Sequence, residues 1–229
     1  MKILVTGASG FIGKWVVGEL QMGEHETVAF TGDLRDKRTF PSDIFDVIIH
    51  LGARVDKRFW ESDDLYKVNV EGTANLLVQY PDSKVIYISS ADVEREILSR
   101  YASTKKETEG LVLVSPINLV IRPPSVFGPG DKHDKLIPRL FRKYREGADC
   151  KVLNNDENEH MYVEDLAKYI VSNIDKHGII RPNGFRIRNL HIETMISAIC
   201  HGEEMPELKS GEQEFFLFLE RCLAGDRST

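Results

Sequence analysis

The chain has 229 residues, 41% apolar and 29% charged, with a formal net charge of −6. That length suits one sizeable core, or one domain with a small appendage, and the acidic balance supplies no basic field to hold nucleic acid; the clusters at Lys105-Lys106 and between Arg139 and Arg145 read as solvated helix faces. Cys150, Cys200 and Cys222 are too far apart for a metal or disulfide pattern and suit reduced thiols, and no apolar run approaches the roughly 18 residues of a membrane span.

Met1 runs directly into a strand pattern with no signal-peptide layout, so the expected location is the cytoplasm. Lys2 to Thr6 reads as the first strand, Phe11 to Leu20 as a helix and Glu26 to Phe30 as the second strand. Asp46 to Leu51 is apolar on both faces, the pattern of a strand in a sheet covered on both sides. A helix is expected over Asp63 to Gln79, a strand over Lys84 to Ser89, a helix from Tyr101 to about Val114 and a strand over Ile117 to Arg122, stopped by Pro123-Pro124. This alternation predicts an α/β fold, a doubly wound parallel sheet of Rossmann type. Pro123 to Asp134 reads as a loop. Residues 135–229, with helices over Tyr162–Asn173 and Glu193–Cys200, read as a small C-terminal cap on the substrate side. The expected division is therefore about 1–130 for the dinucleotide core and about 131–229 for the cap, interleaved in one unit. The last twenty residues carry little pattern. Phe215 to Leu219 is expected to be core or a partner-facing helix.

The chemistry begins at Thr6-Gly7-Ala8-Ser9-Gly10-Phe11-Ile12-Gly13. Gly7 permits a tight turn, Gly10 lets the backbone approach a pyrophosphate, and Gly13 lets the helix sit close to the sheet. Backbone N–H groups at the helix start, around Ser9, Phe11 and Ile12, then meet the anion. No lysine stands where a P-loop requires one. Asp33, twenty residues after Gly13, fits the acid that meets the adenosine ribose.

Further stretches follow in order: Gly32-Asp33-Leu34-Arg35-Asp36, Val47-Ile48-Ile49-His50-Leu51-Gly52-Ala53, Asn69-Val70-Glu71-Gly72-Thr73, Ile88-Ser89-Ser90-Ala91, Tyr101 with Lys105, Arg122-Pro123-Pro124-Ser125-Val126-Phe127-Gly128-Pro129-Gly130, and Tyr162-Val163-Glu164-Asp165-Leu166-Ala167. With the glycine turn they make the chain, from residue 1 to about 200, resemble an extended short-chain dehydrogenase/reductase of the NAD-dependent epimerase/dehydratase group, which acts on nucleotide sugars. The resemblance moves Asp33, with Leu34, to the adenine, and implies that Leu51, Gly52, Ala53, Lys105 and Pro124 line the dinucleotide. It leaves Thr31 or Gly32 at the ribose-acid position, and Thr31, Arg35, Lys37 and Arg38 as groups able to accept a 2′-phosphate. The cofactor is therefore NAD or NADP.

The resemblance also assigns catalysis to Tyr101, Lys105 and Ser90. Tyr101 and Lys105 share one helix face. A nearby ammonium favours the phenolate, which takes a proton from a substrate hydroxyl as hydride leaves the carbon. Ser90 would hydrogen-bond the same substrate oxygen, and Ser89 would line the cofactor side. Asp92 stands where dehydratases and decarboxylases of the family place an extra acid, or is a turn residue. His50 reads as a packed structural histidine. His133, His160, His177, His191 and His201 show no ligand spacing, so no metal is expected.

The departures fall on the substrate side. The stretch from Ser90 to Tyr101 is short, as in reductase members acting on 4-keto sugars. Ser125 replaces the family's Asn, and Asn158 replaces the Arg that grips a nucleotide diphosphate. Three readings follow: an epimerase, dehydratase or oxidoreductase of a nucleotide-linked sugar; a reductase of a keto sugar or other small carbonyl compound; and a non-catalytic NAD(P)-binding sensor or assembly protein. A homodimer through the Asp63–Gln79 and Tyr101–Val114 helices is expected by analogy.

Overall fold

Lys2–Thr6 (β1) is buried from Ile3 onward, which is why the run is apolar throughout and does not alternate. The computed structural model describes residues 1–131, 135–148, 152, 154–203, 205, 208 and 210–225; Cys150 and His133 lie outside them. The chain forms two compact units, one of residues 1–123 and 164–182, the other of 124–163 and 183–229.

The first unit is built on a parallel six-stranded sheet. Its order is β2 (Glu26–Phe30), β1, β3 (Val47–His50), β4 (Lys84–Ile88), β5 (Leu119–Ile121) and β8 (Gly178–Ile180). From β1 the chain moves outward to β2, then returns to lay β3 on the other side of β1. That reversal opens a crevice beyond the carboxyl ends of β1 and β3, the usual ligand position of such a sheet. This is the Rossmann-type architecture expected from the alternation of elements.

Helix α1 (Phe11–Gln21) leaves the glycine turn and buries Gly13, Val16 and Leu20, one stripe of its surface. The stretch expected as one helix over Asp63–Gln79 is helical throughout but not uniform. Asp63–Tyr66 (α2) and Gly72–Gln79 (α3) flank a wider π turn at Lys67–Glu71. That turn buries Asn69, whose side-chain amide is used for loop contacts described below. Helix α4 (Arg100–Val112) starts at Ser99, whose Oγ accepts from the Ala102 N–H at 3.2 Å.

The second unit holds a three-stranded sheet, β6 (Ser125–Phe127), β7 (Glu157–Tyr162) and β9 (Phe185–Arg188). The presence of β6 corrects the reading of Pro123–Asp134 as loop. Val126 and Phe127 are buried and pair in parallel with Met161 and Tyr162. A strand of three residues between Pro124 and Gly128 is too short to show a period of two. Helices α5 (Leu136–Arg145), α7 (Asn189–His201) and α8 (Ser210–Gly225) accompany the sheet, and α6 (Val163–Ser172) follows β7. Phe215, Phe218 and Leu219 of α8 are core, joined to Phe127, Tyr162 and Met195, while Leu217 is exposed. The described part of the stretch with little pattern, Ser210–Gly225, is thus an ordinary amphipathic helix.

The glycine turn is the tightest point of the first unit. A Cβ on Gly13 would stand 2.1 Å from the Gly7 carbonyl oxygen, and one on Gly7 would stand 2.8 Å from the Gly52 nitrogen. Gly7 also holds φ at +66°. Gly13→Ala is expected to lower the melting temperature by more than about 5 °C and to remove dinucleotide-induced stabilisation, both read by differential scanning fluorimetry.

Candidate active site

The dinucleotide cradle assembles from three strand ends. Gly10 precedes α1 without a side-chain cap, so the helix start is offered as bare backbone. The Gly52 N–H donates to Thr6 Oγ1 at 3.1 Å, which holds the segment after β3 against the glycine turn. Leu34 is buried, with its side chain against Gly52 and Gly72. The residues present fit a dinucleotide, because Gly7, Gly10 and Gly13 present the start of α1 without side chains of their own. When bound, the nicotinamide ring supplies or accepts hydride.

Asp33 is not an open carboxylate. The Arg35 guanidinium and backbone N–H hold it, lowering its pKa to about 2. Arg35 also pairs with Asp64, which pairs with Arg54 at 2.7 Å. Arg38 pairs with Asp36. Two of the basic groups expected to be available for a 2′-phosphate therefore already carry acidic partners.

Beneath the cradle runs a buried chain of hydrogen bonds. Thr73 Oγ1 donates to the Asn69 carbonyl at 2.6 Å, so it accepts from His50 Nε2–H at 2.8 Å. His50 Nδ1 is then the acceptor for the Thr6 hydroxyl at 2.6 Å. Burial drives the His50 pKa down to about 3, with the Lys105 charge acting in the same direction, so the ring is neutral. This is the structural role expected for His50.

Helix α4 carries Tyr101 and Lys105 one turn apart. Lys105 is 3% exposed; its Nζ donates to the Ile88 carbonyl at 2.6 Å and lies 4.5 Å from the centre of the Tyr87 ring. Burial lowers its pKa to about 7, against the opposing pull of Glu109. Among the described residues no hydrogen bond joins Lys105 to Tyr101. Burial raises the Tyr101 pKa, as does the Asp92 charge, so without a cofactor the phenol keeps its proton. Ser90 Oγ accepts from the Asp92 N–H at 3.1 Å, which leaves its own proton to be donated elsewhere. Asp92 pairs with Arg95 at 2.6 Å. Ser89 is buried and donates to Glu109 Oε1 at 2.6 Å.

Two residues of this site escaped the sequence reading. Glu109 is buried and receives both Ser89 and a bidentate Arg122, at 2.9 and 2.7 Å. Its spacing of four from Lys105 put it on the same helix face, which was a usable signal. Trp60 stacks on Tyr101, ring centres 5.4 Å apart and planes 6° from parallel; it sits in a loop with no period to flag it. Pro124, Ser125 and Asn158 belong to the second unit. Asn158 Nδ2 donates to Asn189 Oδ1 at 3.0 Å, and Asn189 Nδ2 to Asn154 Oδ1 at 2.7 Å. Among the described residues no group of three or more His, Cys, Asp or Glu is placed to hold a metal, and no helix is long and apolar enough to cross a membrane.

Residues 3–184 match the NAD dependent epimerase/dehydratase family. The chain belongs to this family. It is 28% identical over 191 residues to 2-alkyl-3-oxoalkanoate reductase of Stenotrophomonas maltophilia, covering 64% of this chain and 57% of the relative. It is 27% identical over 194 residues to ceramide reductase of Caulobacter vibrioides, covering 74% and 60%. The chain thus spans less than two thirds of the length of either relative. UDP-glucose 4-epimerase of Thermotoga maritima, solved with UDP-glucose, has the same fold at a TM-score of 0.84 and 18% identity, with 100% of this chain and 99% of that chain covered.

A buried lysine has a stability signature. Its folded pKa lies below its unfolded value of 10.5, so the folded state is penalised while the ammonium is charged, fully below about pH 7 and less as pH rises toward 10.5. Lys105→Met is expected to melt higher than the parent by roughly 3–6 °C at about pH 6, with the gap closing by about pH 10. Paired thermal melts across that range check it.

Proposed function

We propose that the chain exchanges hydride between NAD(P) and a carbonyl carbon, with Tyr101 as the proton donor and acceptor. The observation that carries this is Tyr101 one turn from a lysine buried against the end of β4, with Ser90 two residues beyond that strand. In the reducing direction Tyr101 Oη gives its proton to the substrate oxygen as the carbonyl becomes an alcohol. Ser90 Oγ–H hydrogen-bonds the same oxygen and orients it. Lys105, one turn along α4, is the cation assigned to stabilise the phenolate left behind. In the oxidising direction the phenolate takes the hydroxyl proton back. Burial, and after it the Asp92 charge, raises the Tyr101 pKa and keeps the phenol protonated, which suits reduction.

For the substrate, a keto compound without a nucleotide is the reading the site supports best. Asn158, at the position of the diphosphate-gripping Arg, is a neutral amide tied to Asn189. The names of the curated relatives, a 2-alkyl-3-oxoalkanoate reductase and a ceramide reductase, point the same way. The second reading, a nucleotide-linked sugar, rests on the epimerase solved with UDP-glucose.

Tyr101→Phe is expected to lower kcat by about 10²–10⁴-fold. Dinucleotide at a hundred times its dissociation constant should still stabilise the variant by about 2.7 kcal/mol. Absorbance at 340 nm and thermal shift read the two effects. Undiminished turnover in Tyr101→Phe would sink the mechanism. No turnover of ketones or nucleotide sugars by the parent chain, with binding intact, would favour the binding-only reading.

A further inference from the structure

The substrate side of Tyr101 is bounded by the loop between β3 and α2. Both ends of that loop are fixed. At the start, the Arg54 N–H donates to Asn69 Oδ1 at 2.7 Å and Asn69 Nδ2 returns a bond to the Arg54 carbonyl at 3.2 Å. At the end, Ser62 Oγ donates to the Phe59 carbonyl at 2.8 Å, and Glu61 pairs with Arg100 of α4 at 3.3 Å. Trp60 is held between these anchors, and its indole N–H donates to the Val55 carbonyl at 3.2 Å. That bond uses the only polar atom of the side chain. What remains is a flat apolar face laid parallel to the acid/base tyrosine.

Four described acids around this wall are paired with basic side chains. Asp56 pairs with Arg58, Glu61 with Arg100, Asp64 with Arg35 and Arg54, and Asp92 with Arg95. Lys57 lies 5.8 Å from the centre of the Trp60 ring and Arg54 4.5 Å from that of Phe59, covering aromatic faces. A sugar ring on an aromatic platform needs several free hydrogen-bonding groups at its rim, because each hydroxyl that loses water must be repaired. This loop offers ring surface, with its described acids already paired. A hydrocarbon group loses nothing on being dried by such a wall and gains in proportion to the area covered.

We propose that Trp60 is the specificity-determining wall of the substrate site, and that it selects a substrate with a hydrocarbon group beside the reacting carbonyl. This rests on Tyr101 as the acid/base and narrows the substrate class of that same site. Because Trp60 touches Tyr101 directly, an alkyl group lying along the indole places its neighbouring carbonyl at the phenol. A hydroxylated ring in that position would put its hydroxyls at a rim whose described acids already carry basic partners.

The chain has two tryptophans, Trp15 and Trp60, so Trp15→Phe makes Trp60 the sole indole reporter. With that variant saturated in NADP or NAD, 3-oxododecanoate is expected to change Trp60 emission saturably, and UDP-glucose is expected to leave it unchanged. Equilibrium dialysis of 3-oxododecanoate should give a dissociation constant weakened about tenfold or more in Trp60→Ala and kept within about threefold in Trp60→Phe. Circular dichroism checks that both variants are folded. If Trp60→Ala loses its fold, the emission titration and Trp60→Phe decide alone. Emission that responds to UDP-glucose, emission that responds to neither probe, or equal affinity in folded Trp60→Ala and the parent would each overturn the inference. Binding and not turnover is read, so such a failure would leave the hydride-transfer reading standing. That reading fails separately, on Tyr101→Phe.

Discussion

The charged network on α4 depends on one unfavourable act, the burial of the Lys105 ammonium. A cation at 3% exposure survives only where acceptors are fixed for it in advance. The Ile88 carbonyl takes one N–H, the Tyr87 ring faces the charge, and Glu109 supplies the opposing charge one turn along α4. Glu109 is buried too and needs its own compensation, which comes from Ser89 and Arg122. Arg122 reaches on to Glu94, and Glu94 to Arg181. The result couples α4 to the ends of β4 and β5. Tyr101, one turn before Lys105, inherits that fixed position, while the burial that costs Lys105 its usual pKa also keeps the phenol protonated.

The dinucleotide side follows a different physical logic, that of exclusion. A Cβ on Gly7 or Gly13 would collide with backbone, and one on Gly52 would meet the Leu34 side chain. The Thr6–His50–Thr73–Asn69 chain then ties β1, β3 and the π turn together without a net charge. Asn69 also receives Thr108 on its carbonyl and donates to Thr104, so this neutral network reaches the same α4 helix from the opposite side. Two networks therefore meet on α4, the charged one through Lys105 and Glu109 and the neutral one through the bonds of Asn69 to Thr104 and Thr108.

This explains what the sequence revealed and what it hid. Strong local signals were readable: glycines whose spacing follows from backbone collision, apolar strands whose burial removes alternation, and a Tyr and Lys on one helix face. Ser90 was legible because it follows a strand. The strand Ser125–Phe127 was hidden because three residues cannot display a period, whereas the apolar run of α8, read as core or a partner-facing helix, packs into the core through Phe215, Phe218 and Leu219. Glu109 was overlooked although its spacing marked it. Trp60 was not legible at all, because its stack on Tyr101 joins residues 41 apart through a loop held by the Asn69 and Arg100 contacts. The availability of Arg35 and Arg38 was also misjudged from sequence, since an Asp-x-Arg spacing lets each arginine fold back onto its own aspartate.

The central claim is that Lys105 and a bound dinucleotide together turn Tyr101 from a phenol that holds its proton into one that exchanges it. NMR titration of chains carrying tyrosine labelled at Cζ, with the Tyr101 signal assigned by its loss in Tyr101→Phe, tests this directly. The account predicts that Tyr101 titrates above the ordinary tyrosine range in the free protein, that oxidised dinucleotide moves the titration to lower pH, and that Lys105→Met abolishes the move. A Tyr101 titration that ignores the dinucleotide, or that responds equally in Lys105→Met, would contradict it.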